Sequence, residues 1–357
     1  MSTTPLTLSI AGQPTPITLP QVPGTRGHVG VDIRELNHSG FCSYDPGFAN
    51  TAGCQSAISW IDTENSVLLH RGYPVDQLAR QCDFLEVAYI MLNGDAPDEA
   101  SYQTFRETIT RHTLVHEQIA RMCSGFRRDS HPMALMCALV GALAAFYHDV
   151  LDVENPQHRA LAATRLLSKM PTIAAMSYKY TIEQPAAYPR NDLSYAGNFL
   201  QMLFAIPAEK YVLNPVIEQA MNQILVLHAD HGQCASTTTV RAAGSSGANL
   251  FACVAAGLAS LWGPMHGGAN ESSMRMLEEI ESVDQVPAFL RQAKRDPQAF
   301  RRLGFGNSRY RHRDPRADIL RETSHRVLAE VGMSDRLLQV AMALEDVALT
   351  DPYFVDN

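Results

Sequence analysis

The sequence predicts a mainly α fold with a short β-rich region at its N-terminal end. Two patterns carry this reading. From about residue 76 onward, apolar residues recur at steps of three and four, as in Phe105, Ile109, His112, Val115, Ile119 and Met122, which is one face of a helix. Before that point the chain is rich in Pro, Gly, Thr and β-branched residues, and "LTLSIAGQPTPITLP" and "SAISWIDTENSVLLHRGYP" read as short strands and hairpins. No period of roughly 20–50 residues repeats, so a solenoid is excluded.

Taken in order, helical periods fall at 84–93, through the 105–122 face, and at 131–149, 157–168, 195–205, 214–228, 249–262, 271–281, 316–331 and 334–349. Gly94, Pro156, Pro171, Pro215 and Gly263 mark their ends, because glycine terminates a helix and proline breaks its hydrogen-bond ladder. Near 275–285 the apolar block gives way to "EEIESVDQVPAFLRQAKRDPQAFRR", which is more charged. The expected organisation is a β-rich N-terminal region over 1–75, a large helical domain over 76–280 and a small domain over 281–357.

The chain has 357 residues, 46% of them hydrophobic and 18% charged, enough to bury a core without staples. Its net charge of −8 disfavours nucleic acid as a main partner. The seven cysteines are scattered without a C-x-x-C pair and read as reduced thiols of a cytoplasmic protein. "MSTTPLTLSIAGQ" lacks the basic and apolar segments of a secretory signal. The longest apolar run, Met133 to Tyr147, is 15 residues, short for a bilayer span, so no membrane association is expected.

Three stretches concentrate reactive groups. In "LVLHADHGQCASTTTVRAAGSSGANLF" (225–251), His228 and His231 lie at the end of an apolar helix and could both look into a cleft. They could equally meet the helix's last carbonyls, with Gly232 as terminator. A zinc site needs a third ligand that no motif supplies, so no metal is expected. In "LWGPMHGGANE" (261–271), His266 sits on a glycine-framed turn where backbone can approach a ligand. Asn270 is a candidate N-cap there, placing free N–H groups near an imidazole that can donate to an oxygen gaining charge; a turn histidine bonded to backbone is the plainer alternative. In "RRLGFGNSRYRHRDPRADIL" (301–320), six arginines crowd sixteen residues. There Asp314 can cap, Pro315 suits a first helical position, and Arg316 projects from the first turn to make a carboxylate or phosphate site.

These stretches, together with "FLEVAYIMLNG", "FRRDSHPM", "NDLSYAGNFL", "DPGF" and "LLHRGYP", resemble citrate synthase from about residue 30 to the last residue, and within it the bacterial type II group. The resemblance implies a mainly helical homodimer or higher homo-oligomer whose large and small domains close over substrates. It implies condensation of acetyl-CoA, a co-substrate with no permanently bound cofactor, with oxaloacetate to give citrate and CoA. On matching positions, His266 is the catalytic histidine that hydrogen-bonds the thioester oxygen. His231 and His228 contact oxaloacetate, and Arg316 clamps one of its carboxylates. The loop with Gly304, Gly306, Arg309 and Arg311 lies near CoA. Arg111, His112, Tyr147, Arg165 and Lys169 match an NADH inhibitor site.

Two features depart from the family pattern. Asn307 stands where "GFGH" has a histidine that polarises the oxaloacetate carbonyl; an amide donates a hydrogen bond but no proton near neutral pH. Ser308 and Gly232 also differ from the usual residues. Family members continue past "DPYF" into a segment with the catalytic aspartate, whereas this sequence stops at Asn357. The expectation is therefore a chain of the family with little turnover by itself. Alternatives are a 2-methylcitrate synthase using propionyl-CoA and a non-catalytic binding or regulatory partner.

Overall fold

A computed structural model describes residues 4–12, 14–24, 29–45, 50–296, 310, 313–332 and 335–356. The β-rich region is made of antiparallel pairs. β1 (Leu6–Leu8) pairs with β2 (Ile17–Leu19), and β3 (Gln21–Val22) with β4 (Gly30–Val31), ahead of the single-turn α1 (Glu35–His38). The sheet that matters for function is β5 (Ser59–Asp62), β6 (Val67–His70) and β7 (Tyr73–Pro74), in that order, with Ser59 opposite His70. Along β6, Leu68 and His70 point inward, the period-two burial of a half-covered strand.

Helices then follow without further strands among the described residues: α2 (Val75–Gln81), α3 (Phe84–Asn93), α4 (Glu99–Arg111), α5 (Glu117–Met122), α6 (Pro132–Ala142), α7 (Pro156–Thr181), α8 (Tyr195–Phe204) and α9 (Pro215–Leu227). After these come α10 (Ala235–Gly244), α11 (Leu250–Leu261), α12 (Gly268–Glu279), α13 (Val286–Arg295), α14 (Arg316–Val331), α15 (Arg336–Thr350) and α16 (Pro352–Asp356). The mainly α class holds. Many starts are chemically fixed: Asp83, Asp98, Asn155, Ser194, Asn214 and Asn249 each accept a backbone N–H of their own first turn.

The structure revises three local expectations. The 105–122 face is two helices, because α4 stops at Arg111 and His116 caps α5 by accepting the Gln118 N–H. Carbonyls freed in the break are taken up by α7: Lys169 Nζ donates to His112 and Leu114, and Thr172 Oγ1 to Thr113. Pro171 does not end a helix, since α7 runs through it to Thr181. Proline cannot donate to the carbonyl four residues back, that of Leu167, and the Tyr195 hydroxyl supplies the missing hydrogen bond at 2.8 Å. Finally, α10 and α13 form where no helical period was read, α10 from a Ser/Thr-rich stretch whose propensity is weak.

Among the described residues, side chains gather into three cores. The largest lies between α5, α6, α7 and α11, around Leu135, Leu139, Ile173 and Phe251. A second joins β6, α2, α3 and α9, around Leu68, Leu78, Val87 and Val226. A third, formed by Met276, Leu290, Val340 and Phe354, belongs to α12, α13, α15 and α16. Helix α14 packs on the second core through Ile319, and its Thr323 and Arg326 both donate to Gln223 of α9. The stretch after 280 is thus shared between two cores, because α14 packs its apolar face on α9 while Arg321 pairs with Glu345 of α15.

Candidate functional site

The His266 turn is built by close backbone approach. Gly263 O accepts the N–H groups of both His266 and Gly268, folding the chain back on the end of α11. A Cβ at Gly267 would lie 2.6 Å from Leu261 O, and one at Gly268 2.7 Å from Trp262 O. The glycines serve space rather than unusual φ, since Gly267 has φ −61. Asn270 is not the N-cap: α12 starts at Gly268, because the tight glycine turn lets the helix begin right after His266. The imidazole is half-buried. Its Nε2 lies 2.9 Å from Ser236 Oγ and accepts the Ser236 backbone N–H at 3.4 Å, from the first turn of α10. A backbone N–H can only donate, so this arrangement leaves the proton of an uncharged ring on Nδ1. Nδ1 has no partner among the described residues.

Five residues upstream of Ser236, His231 Nε2 lies 2.8 Å from the Tyr310 hydroxyl. That separation keeps the two residues within about 17 Å by chain length alone. The loop between them is tied down, with Gly232 at φ +72 donating to Asp230 and the Cys54 thiol donating to Gln233. Helix α14 starts at Arg316 as its periodicity suggested, but Pro315 rather than Asp314 holds the N-cap position. Asp314 Oδ1 accepts the Arg316 N–H, and its carboxylate takes Nε at 2.9 Å and Nη2 at 2.6 Å. Burial raises the Asp314 carboxyl, but the Arg316 guanidinium outweighs it and, with His231, holds it below the ordinary carboxylate value. Two of the five guanidinium N–H groups are committed to Asp314, and among the described residues the other three have no partner, so they could donate to an anion.

His70 lies beneath this group. It is fully buried, its Nδ1 meets Ser59 Oγ at 2.9 Å, and its Nε2 has no hydrogen-bond partner among the described residues. Burial pushes its imidazole below the ordinary histidine value; Asp230 acts against that and Arg316 with it, so both charges are within electrostatic reach. His231, Asp230, Asp314, Arg316 and His70 therefore form one cluster, and Ser236 links its loop to His266.

Other anticipated residues fall elsewhere. His228 caps α9, its Nδ1 on Ile224 O, with the side chain exposed, as the plainer reading held. Tyr147, Arg165 and Lys169 do meet: the guanidinium lies 4.4 Å and the ammonium 5.3 Å from the Tyr147 ring centroid, and Arg165 pairs with Asp149. Lys169 reaches the backbone of His112, while Arg111 pairs with Glu107. Burial, and secondarily Arg165, push Lys169 down to about 8. Gly304, Gly306, Asn307, Ser308, Arg309 and Arg311 lie outside the described residues. A cavity of about 230 Å³ bounded by Asp83, Arg106, Thr113, Tyr195 and Asn198 shares no lining residue with the His266 or Arg316 groups. Among the described residues no three His, Cys, Asp or Glu stand close enough to hold a metal, and no helix is long and apolar enough to cross a membrane.

Sequence reasoning missed Ser236, Tyr310 and His70. Ser236 lay inside a stretch already singled out, but only the approach of the glycine turn to α10 makes it a partner of His266. Tyr310 sat among arginines that drew attention to charge, and His70 inside a stretch read only as short strands and hairpins.

A mainly helical chain emerges, with His266 held by Ser236, His231 by Tyr310 and the Arg316 guanidinium by Asp314. The chain belongs to the citrate synthase family, whose model, described as citrate synthase, C-terminal domain, matches residues 47–357. Solved structures agree. Citrate synthase from Pyrobaculum aerophilum is 31% identical, with a TM-score of 0.78 over 87% of this chain and 77% of that one. The enzyme from Thermotoga maritima MSB8 is 28% identical, with a TM-score of 0.72 over 87% and 79%. Citrate synthase from Thermoplasma acidophilum, solved with carboxymethyl coenzyme A and oxaloacetate, is 25% identical, with a TM-score of 0.77 over 86% and 79%.

Proposed function

We propose that the chain condenses acetyl-CoA with oxaloacetate, giving citrate and CoA. The observation that carries this reading is that Ser236 meets His266 while His231, five residues upstream in the same loop, lies within electrostatic reach of Asp314, itself paired with Arg316. Arg316, oriented by Asp314, holds an oxaloacetate carboxylate, and His231 adds a second polar contact. Nδ1–H of His266 is then free to donate to the thioester oxygen as the methyl group loses a proton and the enol forms. Donors aimed at such an oxygen stabilise it by about 3–4 kcal/mol. The core of α12, α13, α15 and α16 carries the helix that follows His266, which suits a small domain moving against the rest.

The arginine-rich loop with Gly304, Gly306, Arg309 and Arg311 suits the phosphates of CoA, and Asn307 offers the oxaloacetate carbonyl a hydrogen bond without a proton. The reading extends to a cytoplasmic homodimer or larger homo-oligomer. It includes NADH as an effector at Arg111, His112, Tyr147, Arg165 and Lys169, supported by two cations on one aromatic face. The test is thiol release on adding acetyl-CoA and oxaloacetate together, with propionyl-CoA as a parallel arm, and calorimetry with oxaloacetate alone. Release that needs both substrates and vanishes in His266→Gln, with oxaloacetate binding weakened in Arg316→Lys, is expected. Faster release with propionyl-CoA reassigns the acyl substrate, binding without turnover makes the chain a non-catalytic partner, and neither binding nor turnover refutes the proposal.

A further inference from the structure

His131, in "FRRDSHPM", lies outside the His266 and Arg316 groups. It holds the N-cap position of α6, whose Leu135 and Leu139 are fully buried in the largest core. Its Nδ1 accepts the Met133 N–H at 3.1 Å, and its Nε2 lies 3.1 Å from Glu271 Oε2. A backbone N–H can only donate, so the uncharged ring carries its proton on Nε2 and donates it to the carboxylate. The same ring stacks on the Trp262 indole, with centroids 5.1 Å apart and planes 24° from parallel. Trp262 closes α11 four residues before His266, and Glu271 lies in the first turn of α12 five residues after it. One imidazole therefore touches both flanks of the His266 turn.

We infer that His131 is a positioning residue for the condensation, gripping the entry of the His266 turn at Trp262 and its exit at Glu271 and fastening both to α6. The consequence for turnover rests on the proposed function; the grip does not. The turn has little to hold it from within. Gly263, Gly267 and Gly268 have no side chains to pack, and Met265 is 81% exposed. The N–H groups of His266 and Gly268, both on Gly263 O, fold the turn back on the end of α11 but reach no other helix. Ser236 meets the imidazole of His266 itself, so the backbone beneath that ring depends on its flanks. Among the described residues, the bond from His131 to Glu271 is the one side-chain hydrogen bond that leaves α12. Ser272 and Ser273 donate to carbonyls of their own helix, and Arg275 pairs with Glu271. The hydrogen bond from His131 holds the Glu271 carboxyl below the ordinary carboxylate value, with Arg275 helping against burial, so the acceptor stays charged. No other charge competes for it from the packed elements: Arg127 and Asp129, in the loop before α6, pair with each other, and α11 carries no charged residue.

The experiment is amide hydrogen exchange over 263–271 and over α6 in the whole chain, with thiol release measured alongside, for the wild type, His131→Asn, Glu271→Ala and Glu271→Gln. Asparagine can still cap α6 by accepting the Met133 N–H, but it is too short to reach Glu271 and has no ring to lay on Trp262. Glutamine keeps an acceptor oxygen for Nε2–H, and alanine removes it. His131→Asn and Glu271→Ala are each expected to speed exchange in the turn about tenfold, the weight of one hydrogen bond to a charged group, while α6 keeps its protection. Glu271→Gln recovers most of the loss. The double variant His131→Asn/Glu271→Ala exchanges no faster than His131→Asn alone, because both changes remove the same bond. If thiol release is measurable, kcat in His131→Asn falls about tenfold or more while the KM for oxaloacetate holds, since the turn carries His266 and not Arg316 or His231. Unchanged turn exchange in either His131→Asn or Glu271→Ala, equal loosening in Glu271→Gln and Glu271→Ala, or a raised KM for oxaloacetate in place of a lower kcat overturns the inference. Should His131→Asn also loosen α6, Glu271→Ala, which leaves the cap in place, decides by the same criteria. A loosened turn in a chain without turnover leaves the inference standing and faults the proposed function instead.

Discussion

Substituting Tyr195 by Phe removes one oxygen atom, yet the fold makes that atom necessary. Leu167 O sits four residues before Pro171 in the middle of α7 and can receive no helical hydrogen bond. Its partner is the Tyr195 hydroxyl at 2.8 Å, and burial raises that phenol above its ordinary value. Leaving a carbonyl unpaired inside a protein costs about 1–3 kcal/mol, well above a neutral aromatic change. The expected loss in urea unfolding is in that range, with a fall of a few degrees in Tm. The decisive comparison is made in a Pro171→Ala background. There residue 171 regains an N–H that can bond to Leu167, and deleting the hydroxyl orphans nothing. A coupling of about 1–2 kcal/mol between the two sites is expected, as for residues sharing one partner. If Tyr195→Phe costs the same in both backgrounds, the hydroxyl is not standing in for the proline, and the account of how α7 tolerates Pro171 is wrong.

Lys169, pushed down to about 8, favours its uncharged form in the folded state, so the unfolded chain binds more protons above that pH. Stability should therefore rise between pH 8 and roughly 10.5 by an amount of order 3 kcal/mol, and the rise should be missing from the same denaturation series in Lys169→Met. Arg316→Lys loses the planar fork that meets Asp314 at two points, so the KM for oxaloacetate should increase about 10–100-fold with a smaller change in kcat. Asn307→His introduces a group able to transfer a proton to the forming alkoxide, and kcat in the thiol-release assay should rise about a hundredfold. An unchanged kcat would remove Asn307 from the chemistry.

The helical class was legible because apolar spacing in elements such as α3, α8 and α14 is a local property. His266, His231 and Arg316 could be picked out because glycine turns, a proline at a helix start and clustered charge are unusual in one-dimensional order. Their agreement with a family pattern then gave each a role. Pro171 misled for the opposite reason. Its penalty is local, but the hydroxyl that relieves it comes from Tyr195, which nothing in the neighbouring residues announces.

By itself, then, the sequence determined most of the segments that become helices and which side chains are reactive enough to matter. Only the tertiary structure decided what those side chains face. It set the Ser236 hydroxyl between His266 and Cys234, pinned Arg316 on Asp314, and left His228 on its own helix end while His231 met Tyr310. The physical reason is range. Periodicity and capping are settled by neighbours within a turn or two, whereas a hydrogen bond between residues 30 or 79 positions apart exists only once packing has brought the backbones together.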